Sequence, residues 1–333
     1  FWYDEKGNVT KTRTTAVDSD GNQKTGTKKI ETSATYTDDG NYKLKDVDAR
    51  GKATSYSYNT TKGTLTSVTD PAGNTVQYTY DANNDRLLTV ASGATTNQYT
   101  YHAKGILTEI ESPTATYTFG YDAFWNPTTV KVGSRTLVTN AYEAKNGNLT
   151  ASTYGNGFAV GYGYDTLDRL TSKTYNGVRK FAWSYNRDGQ IGRHRDYINS
   201  IIYEYQYDFL GRITRIDGSD GSYLANSYNT VDLSTKLQYR YAGTSKTVAF
   251  TYDSRDNLPK TVALPGERVV TNTYDDLGRL TKKDASGIKT NYAYLDVNDT
   301  KTTGIVSGLT YTGITAGDLR VGNLTYTYDN LGN

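Results

Sequence analysis

Apolar and polar residues alternate with a period of two along most of the chain, in short runs closed by Gly, Asp, Asn or Pro. Residues 65–81, L-T-S-V-T-D-P-A-G-N-T-V-Q-Y-T-Y-D, show the unit clearly. Residues 65–69 have strand chemistry, Asp70-Pro71-Ala72-Gly73 is a turn with Pro preset at its second position, and residues 75–80 form a second strand running into Asp81. Self-similarity at a fixed period decides a fold before any local detail does. Here the Tyr before the turn recurs at Tyr3, Tyr36, Tyr58, Tyr80, Tyr101, Tyr121, Tyr142, Tyr164, Tyr185, Tyr207, Tyr228, Tyr252, Tyr274, Tyr294 and Tyr328. From Tyr36 to Tyr294 each step is 20 to 24 residues; the longer steps after Tyr3 and Tyr294 read as insertions or a degenerate repeat, the second marked by Tyr311.

The residue after these anchors is Asp in eight of fifteen cases and Asn in three. Both side chains bond the backbone two residues on and so open a turn. The fourth position after the anchor is Gly, Asn or Asp in thirteen, with Lys62 and Trp125 as exceptions. Those residue types tolerate a left-handed backbone, so the slot is expected to have positive φ in a hairpin loop of three to five residues. A second Tyr often precedes the anchor by two, as in Tyr56/Tyr58, Tyr78/Tyr80 and Tyr205/Tyr207, which puts both rings on one strand face and predicts aromatic ladders between stacked repeats. A looser second turn recurs at Asp70-Pro71, Asn156-Gly157, Asn176-Gly177, Pro265-Gly266 and Ser286-Gly287. Two turns per repeat leave two strands of about six or seven residues, each about 20 Å long. Thr, Gly and Tyr interrupt every helical period. One hairpin cannot bury its own face, so stability has to come from neighbour stacking, and the accumulating twist makes such an array coil. The expected fold is all-β: a spiralling array of about fifteen hairpins over residues 1–333, a single array forming a curved sheet or part of a hollow shell.

Composition agrees with a thin sheet wetted on both sides. Only 35% of residues are hydrophobic, 32 Tyr among them, so about a quarter of the chain is apolar without Tyr, well short of an ordinary globular domain. Disorder is not the reason, since the chain is 13% aromatic and dense in Thr and Val. Lys plus Arg is 37 against 35 Asp plus Glu, a net charge of +2 that offers no attraction for a phosphate backbone, so nucleic acid is not an expected partner. With no Cys there are no disulfides or thiolate metal sites. No apolar run approaches a membrane span. The chain opens at Phe1, has no Met and stops inside a repeat at Asn333, so it is expected to be a processed or excerpted piece of a larger protein, with repeats cut at both ends. Strand edges left bare there would invite aggregation, so they are expected to continue into more repeats, meet another chain, or carry caps.

The recurring Y-x-Y-D-x-x-G-R-L-T, seen in residues 205–214 and again in residues 274–281, resembles the YD repeat of the RHS family, which includes bacterial RHS polymorphic toxins, wall-associated RHS proteins, the B and C components of insecticidal toxin complexes, and teneurins. The resemblance covers essentially the whole chain. It implies a spiral of hairpins closing into a hollow shell, which in the toxin members encloses a C-terminal toxic domain and in teneurins belongs to an adhesive ectodomain. RHS toxin cores end in a D-P-x-G-type segment with aspartate-dependent self-cleavage. Here Asp70-Pro71-Ala72-Gly73 is the only such sequence, and its mid-array position makes it an ordinary turn.

Candidate chemistry is sparse. His102 falls in the slot after an anchor that is normally Asp or Asn, and reads as a turn residue rather than a catalytic one. His194, in Arg193-His194-Arg195, reads as part of a solvated strand or loop, with anion or glycan contact as the alternative. No G-x-S-x-G elbow, Walker A loop, H-E-x-x-H or zinc spacing occurs. Paired carboxylates for glycoside hydrolysis are explained by the turns' need for Asp. Asp18-Ser19-Asp20-Gly21 and Asp217-Gly218-Ser219-Asp220-Gly221 resemble calcium loops but lack the following bidentate Glu and read as turns. The sequons at Asn8, Asn59, Asn148, Asn298 and Asn323 mostly coincide with the repeat and carry little information. Trp125 is either an exposed ligand contact or a loop residue folded over the neighbouring hairpin. No catalytic residue, cofactor or metal is assigned. The expectation is a non-enzymatic shell segment of a secreted or cell-surface bacterial protein, with a polar inner face, whose partner is an enclosed C-terminal toxin or effector domain or further repeats of the same chain. The alternative is an adhesive or carbohydrate-binding surface contacting a cell-surface glycan or protein.

Overall fold

The computed structural model describes residues 1–17, 22–254, 256–313 and 323–331. Among these the chain is all-β, with 29 strands assigned to one sheet and no helix. Two units can be distinguished: unit 1 comprises Phe1–Thr96 and Phe250–Asn333, and unit 2 is Asn97–Ala249. In both, strands pair antiparallel with their neighbours in sequence, as stacked hairpins require. Chain reversals therefore fall alternately on two edges of the sheet. The turns that follow the anchor tyrosines form one edge, here called the YD edge; the looser turns form the second.

Period-two alternation gives the sheet unlike faces. On one, Tyr56 lies opposite Val68, Tyr78 opposite Val90, Tyr205 opposite Ile216 and Tyr207 opposite Ile213. On the other, Thr79 faces Thr89, Thr118 faces Lys131 and Arg193 faces Glu204. Burial is shallow throughout. Among the described residues only Ala16 and Val160 are buried apolar side chains, and the largest fully enclosed side chains are Thr302 and Thr303. Among the described residues the anchor tyrosines do not stack on one another into the expected ladders. Consecutive anchors are two strands apart, about 9.6 Å, and the intervening strand places an aliphatic residue between their rings.

The YD turns follow the expected chemistry with two refinements. Positive φ occurs at the fourth position after the anchor at Gly7, Gly40, Gly105, Asp168, Gly189, Gly211, Asp232 and Gly278, and also at Trp125, where the side chain type had suggested an exception. After Tyr58, Tyr80, Tyr142 and Tyr252 the loop is one residue longer, and Gly63, Asp85, Gly147 and Asn257 take that conformation instead of Lys62, Asn84, Asn146 and Asp256. Asn298 does not adopt it, and Gly332 lies outside the described residues. Each return strand also carries a register shift beside the anchor: Gln206 pairs with Arg215 but Tyr207 with Ile213, leaving Thr214 as the extra residue of a bulge, and the same shift recurs at Tyr80, Tyr121, Tyr164, Tyr185 and Tyr274. A bulge raises local twist, so curvature is added once per repeat at one edge.

The two irregular steps resolve differently. The step after Tyr3 is a lengthened second-edge loop between the strands Val9–Thr14 and Ile30–Tyr36. After Tyr294 the strand Thr302–Thr312 is unusually long, and Tyr311 lies within it, opposite Thr290 near the second edge, so it is not an anchor.

Candidate functional site

The repeating motif forms a linked set of contacts. In unit 2, Asp208 Oδ1 accepts backbone N–H bonds from Leu210 and Arg212 at 3.0 Å, so one carboxylate oxygen caps the whole turn. Its Oδ2 takes the Arg212 Nε at 2.7 Å. The Arg212 guanidinium then lies 4.5 Å over the ring of Tyr228, the next anchor, and the Tyr228 hydroxyl donates to the Ile213 carbonyl at 3.0 Å. The same chain of contacts runs from Asp165 through Arg169 to Tyr185, and in unit 1 from Asp275 through Arg279 to Tyr294. The hydroxyl latch recurs at Tyr80, Tyr121, Tyr142, Tyr164, Tyr207 and Tyr274, each donating to a carbonyl 14 to 16 residues upstream. Hydrogen bonds within the turn hold Asp4, Asp70, Asp122 and Asp165 below the ordinary carboxylate range, while burial pushes the phenols of Tyr80, Tyr164 and Tyr207 upward. Tyr, Asp, Gly and Arg are thus fastening elements between successive repeats. The Y-D-x-x-G-R spacing was legible, whereas the Arg-to-Tyr stack depends on pairing across hairpins.

His102 sits in the cap position, where its Nδ1 accepts the Lys104 N–H at 3.1 Å in place of an Asp oxygen. Trp125 folds over the neighbouring hairpin, its ring 4.7 Å from His102 and 6.3 Å from Tyr121. Asp70 caps its own turn through Ala72 and Asn74. Asp217 pairs with Arg215 and Asp220 accepts from Ser222, which makes that stretch a turn; residues 18–21 lie outside the described residues. Among the described residues no cluster of His, Asp and Glu has the makings of a metal site.

His194 is not on a solvated segment. It lies on the strand Ile191–Asp196, whose alternation sends Arg193 and Arg195 to the opposite face and His194 into a run of rings. Trp183 stacks on it at 5.2 Å and 4°, Tyr203 at 5.8 Å, and the run continues through Phe181, Tyr175 and Phe158. Adjacent strands all carry aromatics here, so rings do meet. The buried Nε2 has no hydrogen-bond partner, and burial lowers the imidazole pKa, opposed by the charge of Asp196. Beside it is a groove of about 300 Å³ lined by Tyr203, Tyr205, Ile216, Tyr223 and Leu224.

Unit 1 contains a seam that the sequence does not announce. The lengthened loop meets turns of the late repeats: Lys24 pairs with Asp276 at 2.6 Å and Lys28 with Asp296 at 2.5 Å. Lys29 N–H donates to Thr300 O at 3.0 Å and Thr302 N–H to Lys29 O at 2.9 Å, making an isolated parallel bridge between Lys29 and Lys301. Beside this bridge Glu31, 7% exposed, accepts from Lys301 at 2.7 Å, Lys11 at 3.1 Å and Arg13. Those contacts, the Lys301 bond foremost and burial opposing, hold its pKa at about 2. Farther along, Arg50 donates to the Asp329 carbonyl at 3.2 Å and Lys52 to Asn330 Oδ1 at 2.7 Å.

Comparison with known proteins fits this geometry. Residues 61–96 and 145–177 match the RHS Repeat family model. No match was found among curated proteins. Among solved structures the chain is similar to a TcdB2-TccC3-Cdc42 crystal structure, with TM-score 0.67 and 14% identity over 92% of this chain and 20% of that one. A Photorhabdus luminescens Tc holotoxin pore gives TM-score 0.66 at 14% identity over 98% and 22%, and a TcdB2-TccC3 structure gives 0.53 at 13% over 96% and 21%. The chain spans about a fifth of the length of these structures, and the likeness is one of fold. The tyrosine-anchored repeat is thus an RHS repeat at the two matched stretches, and the chain as a whole is similar in fold to these structures.

Proposed function

We propose that this array is a non-enzymatic wall segment of a secreted or cell-surface bacterial RHS protein, serving to enclose or present a toxin or effector domain. The observation that carries the reading is the seam in unit 1, where turns of late repeats rest on loops of early ones and lap the sheet onto itself. A strip that laps onto itself is suited to be a wall. The anchor-turn carboxylates Asp122, Asp165, Asp208 and Asp275 are occupied as turn caps, and the polar face of Thr, Lys and Glu suits contact with cargo without a deep pocket. The domain over residues 1–333 is then one continuous part of a larger shell. The test is limited proteolysis of the protein that carries this array together with its effector domain. Protection of the effector while the array is folded, lost when the array is denatured, is the expected result; cleavage as fast as that of the free effector domain refutes enclosure. The aromatic groove beside His194 favours a second reading, an adhesive surface on which a sugar face stacks against Tyr203 or Tyr223. Glycan binding abolished by Tyr223→Ala would select it.

A further inference from the structure

Both edges of the sheet are chemically distinct, and unit 1 shows how they meet. Its late YD turns present carboxylates, carbonyls and an apolar residue at the third position after the anchor: Leu277, Val297 and Leu331. Its early second-edge loops present Lys24, Lys28, Arg50 and Lys52 to receive them. Leu331 lines a cavity of about 520 Å³ together with Val9, Tyr36, Val47 and Pro71. The pairing is directional, YD edge onto second edge, with partners 252 to 280 residues apart.

In unit 2 the same third-position slot holds Phe124, Leu167, Leu210 and Val231, which are 72%, 70%, 56% and 53% exposed, and Lys104, Lys145 and Asp188 in the other three turns. Single exposed apolar residues are ordinary, but here they recur in the slot that unit 1 uses in its seam, which points to an interaction surface. Between the turn of Phe124 and the next YD turn lies a hollow of about 480 Å³. Exposed carboxylates Glu143, Asp168, Asp188 and Asp232 flank the row, with Lys104, Lys145 and Arg187 as the opposite charges among them. The second edge of unit 2 offers the complement: protruding Val178 and Tyr241, 58% and 73% exposed, set among exposed Lys131, Arg135, Arg179, Arg240 and Lys246, with Glu111 and Asp220 as its exposed carboxylates.

We propose that the YD edge of unit 2 is an interaction surface for the second edge of unit 2 in another copy of this chain, docking in the lapped mode that unit 1 uses internally. The apolar tips supply the contact and the charges set its direction. Such an interface is heterologous, so copies add head to tail instead of closing as a two-fold pair. The inference is independent of what the wall encloses, because its test contains no effector domain.

Sedimentation of the full 333-residue chain across the micromolar range should show mass rising with concentration, less steeply at high salt. The YD-edge variant Phe124→Asp/Leu167→Asp/Leu210→Asp should be monomeric, as should the second-edge variant Val178→Asp/Tyr241→Asp, both with wild-type circular dichroism because the altered side chains are exposed. Each variant keeps one intact edge, so mixing the two should restore a 1:1 complex that grows no further. A wild-type chain that stays monomeric at the highest concentration overturns the proposal. So does association that survives both sets of substitutions, or a mixture of folded variants that forms no heterodimer.

Discussion

Replacing Glu31 by Gln removes one negative charge from beneath three cations while keeping the side chain's shape. The carboxyl's pKa lies at about 2 against an ordinary 4.5, a difference worth about 3 kcal/mol of preference for the charged form in the folded chain. Lys11, Arg13 and Lys301 are themselves partly solvated, so screening reduces the effect to about 2 kcal/mol. Because the folded pKa is depressed, this stabilisation is complete above the unfolded value near 4.5 and is lost as pH falls through about 2. The effect should be local to the seam. Amide exchange at Lys29 and Thr302, whose N–H groups bridge it, should accelerate about 30-fold in Glu31→Gln at neutral pH, as about 2 kcal/mol implies. In the parent chain those amides should lose protection between pH 4.5 and 2, and in the variant this pH dependence should vanish. Unchanged exchange in the variant at neutral pH, with hairpin amides intact, would refute the electrostatic account of the seam.

Tyr207→Phe deletes the hydroxyl that donates to the Ile191 carbonyl at 2.8 Å and should cost about 1 kcal/mol; denaturant titration of the variant checks this, and no loss would mean that the latch is incidental. Ala242 and Gly243 both have positive φ in a two-residue hairpin between Tyr241 and Thr244, a conformation that favours Asn-Gly. Ala242→Asn should therefore raise stability by about 0.5 to 1 kcal/mol, seen as a higher denaturation midpoint. The imidazole of His194 should titrate below its ordinary 6.5 because burial disfavours its charged form. Its stabilising contribution is then present above 6.5 and falls away as pH drops below it. An NMR titration giving a value at or above 6.5 would contradict the packed-ring description.

Most of the hairpin architecture is written locally and could be read locally. A Tyr followed by Asp predicts a capped turn because one carboxylate oxygen reaches two nearby N–H groups, and Asp208 and Asp275 do so. Counting a fixed four residues from the anchor failed at Asn84, Asn146 and Asp256, since residue types that tolerate left-handed backbone do not reveal whether a loop has one more residue. Trp125 was the converse: its side chain argued against that conformation, and packing on His102 imposes it. His194 looked basic in sequence because Arg193 and Arg195 flank it, but a period of two separates neighbours onto opposite faces. The seam was out of reach, because Glu31 and Lys301 carry no periodic signal and are joined only by the return of the chain.

The seam also bears on the order in which the chain acquires its structure. Hairpin contacts join residues a few to about twenty apart and should close on the microsecond scale, whereas the seam joins residues about 270 apart and, from an unstructured chain, would cost about 2.5 kcal/mol more in closure entropy than a 15-residue loop. That cost is comparable to the contribution of Glu31. Early closure therefore has little to recommend it, and the repeats should form first and bring Lys29 and Lys301 within reach already oriented. Pulse-labelled exchange should find the amides of Lys29 and Thr302 protected after those of the hairpins they join, which would make closing the seam the final step of folding and its opening the first step of unfolding.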